Sequence, residues 1–129
     1  MTLENRVDAI EECYEFMLAY AAQGLAEDAG SSVGAQVREF LRRAVAALTG
    51  IGEACGAENI DQAFTEVLER DAQSSLAAIQ MVLAQRAISS QLIDNLNASI
   101  HLRALLTDLF LVDEVLKIQR IHADVAASG

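Results

Sequence analysis

The stretch Ile100–Ile118, IHLRALLTDLFLVDEVLKI, decides how this chain folds. Twelve of its nineteen residues are Ile, Leu, Val, Phe or Ala. On a helix turning about 100° per residue they cover most of the circumference and leave a narrow polar strip. A helix of that kind expects neighbours on several sides. It is read as the centre of a longer final helix, from about Ser89 to Ala126.

Outside this stretch the composition also favours helix. The chain of 129 residues has no Pro, seven Gly and few aromatic residues, and its abundant Ala, Leu, Glu and Gln are good helix formers. The fold class expected is all-α, a single domain over residues 1–129, built as an antiparallel bundle of four main helices. A fifth would arise if one broke near Asp71 or Thr107. The first helix spans about Leu3 to Gln23, with Thr2 as N-cap; Leu3, Val7, Ile10, Tyr14, Met17 and Ala21 form a bundle seam at alternating steps of four and three. Gly24 ends it, and residues 25–32 connect to a second helix over about Val33–Leu48, capped by Ser31 or Ser32. The glycine-rich segment TGIGEACGAE, residues 49–58, reads as a turn, because Cys55 stands where a dinucleotide loop needs its third glycine and no strand precedes it. Asn59 as N-cap, with Gln62 in a capping box, would start a third helix that runs to about Gln85. Asp71, Ser74 and Ser75 offer side-chain bonds that compete with its backbone. The short link at residues 86–90 then makes the third and fourth helices antiparallel neighbours.

Charge narrows the function classes. Nineteen acids against nine bases leave a formal charge of −10, which opposes phosphate backbones and anionic lipid, so neither nucleic acid nor membrane is an expected partner. The charged N-terminal sequence does not read as a signal peptide, and a cytoplasmic location is expected. Cys13 and Cys55 are 42 residues apart, which suits neither a redox pair nor a zinc framework. Both are read as reduced thiols, with Cys13 buried and made unreactive by burial and nearby carboxylates.

Three groups of residues are candidates for function. In the first helix, Glu4, Asp8, Glu11 and Glu15 form an acidic stripe beside the apolar one; in the second, Arg38 and Arg42 lie one turn apart. These charges are expected to pair with each other, within one chain or between two, or to dock a partner. In the final helix, Asp94, Asn97, His101 and Asp108 fall within about 60° of one another, a polar line that could hold a small ligand or a metal. Histidine-phosphotransfer domains are bundles of this size, but the run H101-L-R-A-L-L puts Arg103 at the wrong offset and Leu105 where such domains need space. No catalytic, cofactor or metal motif is present, and catalysis is not the favoured reading.

The third group is apolar: Leu102, Leu105, Leu106, Leu109, Phe110, Leu111, Val112, Val115 and Leu116 point in nearly every direction around the final helix, and Leu102, Leu105, Leu106, Leu109, Phe110 and Val112 are the residues expected at a dimer interface. A helix of about 36 residues would be about 54 Å long against roughly 30 Å for each of the first two. Its excess length and apolar surface imply a break or a second copy of the chain. The expected function is a non-catalytic protein-interaction module, such as an adaptor, assembly factor or accessory subunit, acting as a homodimer and able to take another cytoplasmic protein as partner. The alternative is a ligand- or metal-binding bundle with its site near His101.

Overall fold

A computed structural model of the chain describes residues 1–128, and what it describes is helical, without a strand. The helices are α1 (Leu3–Ala21), α2 (Gly34–Leu48), α3 (Ile51–Ala57), α4 (Gln62–Leu83), α5 (Ser90–Ala98) and α6 (Ile100–Ser128). Helix α1 packs on α2 and α5, α4 packs on α2, α3 and α6, and one continuous core runs between them.

Local chemistry sets the helix ends. Thr2 Oγ1 accepts from the Asn5 amide and caps α1 as expected. Ser31 Oγ accepts from the Gly34 amide at 2.8 Å and starts α2. Position 34 is glycine because a Cβ there would collide with the carbonyl of Asp28. The segment expected to be a turn instead contains the short helix α3. Gly50, at φ +82°, reverses the chain after α2, and Glu69 of α4 accepts from the Gly52 amide in the first turn of α3. Asn59 is not the N-cap of the next helix. It occupies the left-handed region at φ +58°, which Asn tolerates better than most residues. Asp61 takes the capping role, accepting from the amides of Ala63 and Phe64.

Helix α4 continues without interruption past Asp71, Ser74 and Ser75. Ser75 is buried and donates its hydroxyl to the His101 carbonyl at 3.1 Å, so it bonds across to α6 rather than bending its own helix. The expected final helix is broken, but at Ser99 and not at Thr107. Ser99 is extended (ψ 147°) and its Oγ accepts from the Leu102 amide, ending α5 and capping α6. Thr107 only returns its hydroxyl to the Arg103 carbonyl one turn back.

Two polar fastenings tie distant parts of the chain. Half-buried Arg6 donates to the carbonyls of Ala47 and Thr49, holding the start of α1 to the end of α2. At the opposite end, the fully buried Tyr20 donates its hydroxyl to the Ile88 carbonyl at 2.6 Å. Ser90 exchanges hydrogen bonds with Leu25 and donates to the Tyr20 carbonyl. Arg38 completes this end. It pairs with Asp28 at 2.7 Å and donates to the carbonyls of Leu83, Gln85 and Arg86, while Asp28 also accepts from the Ile88 amide. These bonds hold the Asp28 carboxyl below the usual range.

The expected pairing of Arg38 and Arg42 with the acidic stripe is therefore not what forms. Arg38 is used up at Asp28, Arg42 is exposed without an ion pair, and it is Arg43 that reaches α1, through Glu12 at 2.8 Å. Arg43 also lies over Phe40, whose ring stacks on Phe16 with centroids 4.3 Å apart.

Both cysteines are buried and unpaired. Burial pushes the Cys13 thiol up to about 12, against a lowering influence from Arg43, and the Cys55 thiol up to about 11. Neither should react appreciably with a thiol reagent at pH 7 until the protein is denatured, which a timed labelling assay with and without denaturant measures. A second expectation concerns the network at Arg38. Arg38→Ala should cost about 2–3 kcal/mol in urea unfolding, because it strands Asp28 and three carbonyls at once, whereas Arg42→Ala should cost less than about 0.5 kcal/mol.

Candidate interaction surface

Helix α6 is apolar on two opposite faces. At about 100° per residue, Leu102, Leu105, Leu106, Leu109 and Val112 fall on one side, and all five are buried in the chain's own core. Of the six residues expected at a dimer interface, these five are thus interior positions of the single chain. Phe110 alone lies outside, 57% exposed. It belongs to a different set: Phe110, Leu111, Val115, Ile118, Ile121 and Val125 occupy the face turned away from the bundle and are 42–66% exposed.

This outer strip continues past the end of the body. Val112 is the last buried residue of α6, Leu116 is half-buried, and from Lys117 onward the described helix is exposed on every side. At about 1.5 Å per residue, the segment from Lys117 to Ser128 extends about 18 Å past Leu116, the last residue packed on the core. Its chemistry is compatible with helix: Glu, Leu, Lys, Gln, Arg and Ala make up half of residues 113–128, with no Gly or Pro before Gly129. Lys117 adds an ion pair one turn back to Asp113, at 3.3 Å. An exposed apolar strip of this length on a helix that leaves its own bundle is the feature that most needs a partner.

The polar line of α5 and α6 is divided by the break at Ser99. Asp94 and Asn97 on α5 line an open surface depression of about 440 Å³ together with Tyr14, Arg103, Thr107 and Phe110. His101 is exposed and outside it. Asp108 turns inward instead, buried beside Asp71 of α4. The hydroxyl of Tyr20 is committed to Ile88. The four residues thus share no cavity, and no group of three or more potential metal ligands occurs among the described residues.

The acidic stripe meets α6 rather than α2. Glu4 and Asp8 line a cleft of about 380 Å³ with Glu58, Asp113 and Arg120, over a floor containing Leu3, Val7 and Leu116. Glu11 lies deeper, and burial, followed by Asp113, Asp8 and Glu15, raises its carboxyl above the ordinary value. Sequence reasoning missed Asp113 here, since its proximity to α1 depends on how α6 packs.

Asp71 and Asp108 form an unanticipated carboxyl pair between α4 and α6. Asp108 Oδ2 is buried with no donor, and burial together with the neighbouring Asp71 pushes the Asp108 carboxyl up to about 7. The signal in the sequence was an acid on the face of α6 that also carries Leu105 and Val112. No helix among the described residues is long and apolar enough to cross a membrane. No family model matches the chain, and neither the curated proteins nor the solved structures provide a match.

The carboxyl pair makes stability depend on pH in a definite sense. Between the unfolded value of 3.8 and the folded value of about 7 the native state holds the extra proton. The stabilisation is therefore complete below about pH 4 and lost as pH rises through 7. Asp108→Asn should raise the melting temperature at pH 8, corresponding to about 1–3 kcal/mol, and have little effect at pH 4.5. Thermal unfolding followed by circular dichroism at the two pH values measures it.

Proposed function

We propose that this chain is a non-catalytic protein-interaction module that acts as a homodimer, with the outer face of α6 as its docking surface. The observation that carries this reading is the exposed strip Phe110, Leu111, Val115, Ile118, Ile121 and Val125 on a helix that runs beyond its own core. Burying such side chains contributes about 1.5–3 kcal/mol each when burial is complete, so even partial cover of six gives a substantial driving force. The platform is an antiparallel arrangement of main helices, α1, α2, α4 and α5 with α6. Supporting that arrangement, Arg6 near the start of α1 reaches the end of α2, Arg38 near the start of α2 reaches the end of α4, and Ser75 late in α4 meets His101 early in α6. Two buried, unpaired thiols suit a reducing compartment such as the cytoplasm.

The test is sedimentation equilibrium at tens of micromolar. Wild-type chain should sediment as a dimer, and Ile118→Glu as a monomer with unchanged helical content, since Ile118 makes no contribution to the chain's own core. A monomeric wild type would sink the reading.

A further inference from the structure

We infer that two copies pair along the outer faces of their α6 helices in antiparallel orientation, with the two-fold axis passing beside Ile118. This rests on the reading of that face as the self-association surface and adds its register and direction.

The first argument is symmetry. The outward residues of α6 from Leu111 to Val125 are Leu111, Glu114, Val115, Ile118, Ile121, His122 and Val125. They stand seven, four and three residues before Ile118 and three, four and seven after it. A two-fold interface requires that if residue i meets residue j, then j meets i. An antiparallel pair centred on Ile118 meets that condition from Leu111 to Val125. Leu111 shares a layer with Val125 of the other copy, Val115 with Ile121, and Ile118 with itself. Any helix face has this spacing; what this sequence adds is that the mirrored positions match in character, apolar with apolar and Glu114 with His122.

The second argument comes from the two polar residues inside the strip. In this register Glu114 of one copy lies beside His122 of the other, twice, so an imidazole N–H can donate to a carboxylate in each outer layer. A parallel pair would set Glu114 beside Glu114 and His122 beside His122 in an apolar seam, which leaves two carboxylates facing each other.

Charge also selects this segment for contact between copies. Asp113, Glu114 and Asp124 against Lys117 and Arg120 leave Asp113–Ser128 at a formal −1, out of −10 for the chain. Repulsion between two copies is therefore lowest where these segments meet. Because the strip is on the opposite side of α6 from Leu105, Leu109 and Val112, the two bodies lie on the outer sides of the helix pair and do not collide.

The experiment places single cysteines in the full-length chain as Leu111→Cys, Ile118→Cys and Val125→Cys, followed by mild oxidation and a non-reducing gel, with sedimentation run in parallel. Buried Cys13 and Cys55 provide the unreactive background. The Ile118→Cys variant, with its thiol on the axis, should cross-link at least tenfold faster than either of the others alone, whose two copies would be about 21 Å apart. The double substitution of Leu111 and Val125 should restore cross-linking. Equal cross-linking at all three single sites means a parallel pair and overturns the inference while leaving the dimer intact. A dimer in sedimentation that cross-links at none of them also overturns it, whereas a monomer overturns the proposed function itself. A charge exchange gives an independent readout. Glu114→Arg should weaken the dimer at least tenfold, and adding His122→Glu should recover it; failure to recover counts against the register.

Discussion

Helix α6 must fill the core on one side, and its other side is equally apolar. The inward line of Leu102, Leu105, Leu109 and Val112 closes the bundle against its neighbours, and α4 bonds to its first turn through Ser75. Nothing in the composition of the helix stops it when the core stops. It continues through residues that favour helix, and its outer face extends with it. The bundle thus stabilises the first part of α6, and the first part presents the rest. Anything that loosened the inward line would also remove the support for the projecting strip.

Polar groups do separate work at the two ends of the body. Near Tyr20 and Asp28 they replace missing contacts in the connections, where the chain between α1 and α2 and the chain between α4 and α5 lie against each other. The bonds of Tyr20 and Ser90 there go to backbone carbonyls that would otherwise be buried without partners. Near Glu4 and Asp113 the opposite holds: like charges gather around a cleft, and burial together with those neighbouring carboxylates raises the Glu11 carboxyl. One end is closed by complementary charge and the other is left strongly acidic. The acidic cleft lies against the inner side of the same α6 segment whose outer side carries the apolar strip.

Much of the helical pattern was legible in the sequence, because apolar residues at steps of three and four record which face a helix buries. Leu3, Val7, Ile10 and Met17 did so for α1, as Leu68, Leu76, Ile79 and Val82 did for α4. What periodicity cannot record is where a helix ends for reasons of backbone chemistry. Ser99 interrupts the final helix through a cap that any serine could offer, and Asn59 adopts a left-handed conformation that looks the same in sequence as an N-cap. The site residues divide along the same line. The apolar candidates were on the right helix, but assigning five of them to an interface required knowing which of its two apolar faces the chain covers by itself. The charged candidates depended on packing between elements distant in sequence, so Asp28 for Arg38, Asp113 for the acidic stripe and Asp71 for Asp108 emerge only from the fold.

The fastening of Tyr20 and Leu25 to Ile88 and Ser90 bears on how the protein is made. Synthesis proceeds from the N-terminus at roughly 5–20 residues per second. When α1 and α2 have both emerged they can meet, but the end of α1 lacks its hydrogen-bond partners until Ile88 and Ser90, about forty residues beyond the end of α2, have been made. The nascent chain therefore carries a helical pair whose core face is open, with Met17 and Leu41 still waiting for the later helices. Such an intermediate needs shielding from other nascent chains of its kind. Its strongly acidic surface offers that shielding through mutual repulsion, before any of the C-terminal apolar strip exists.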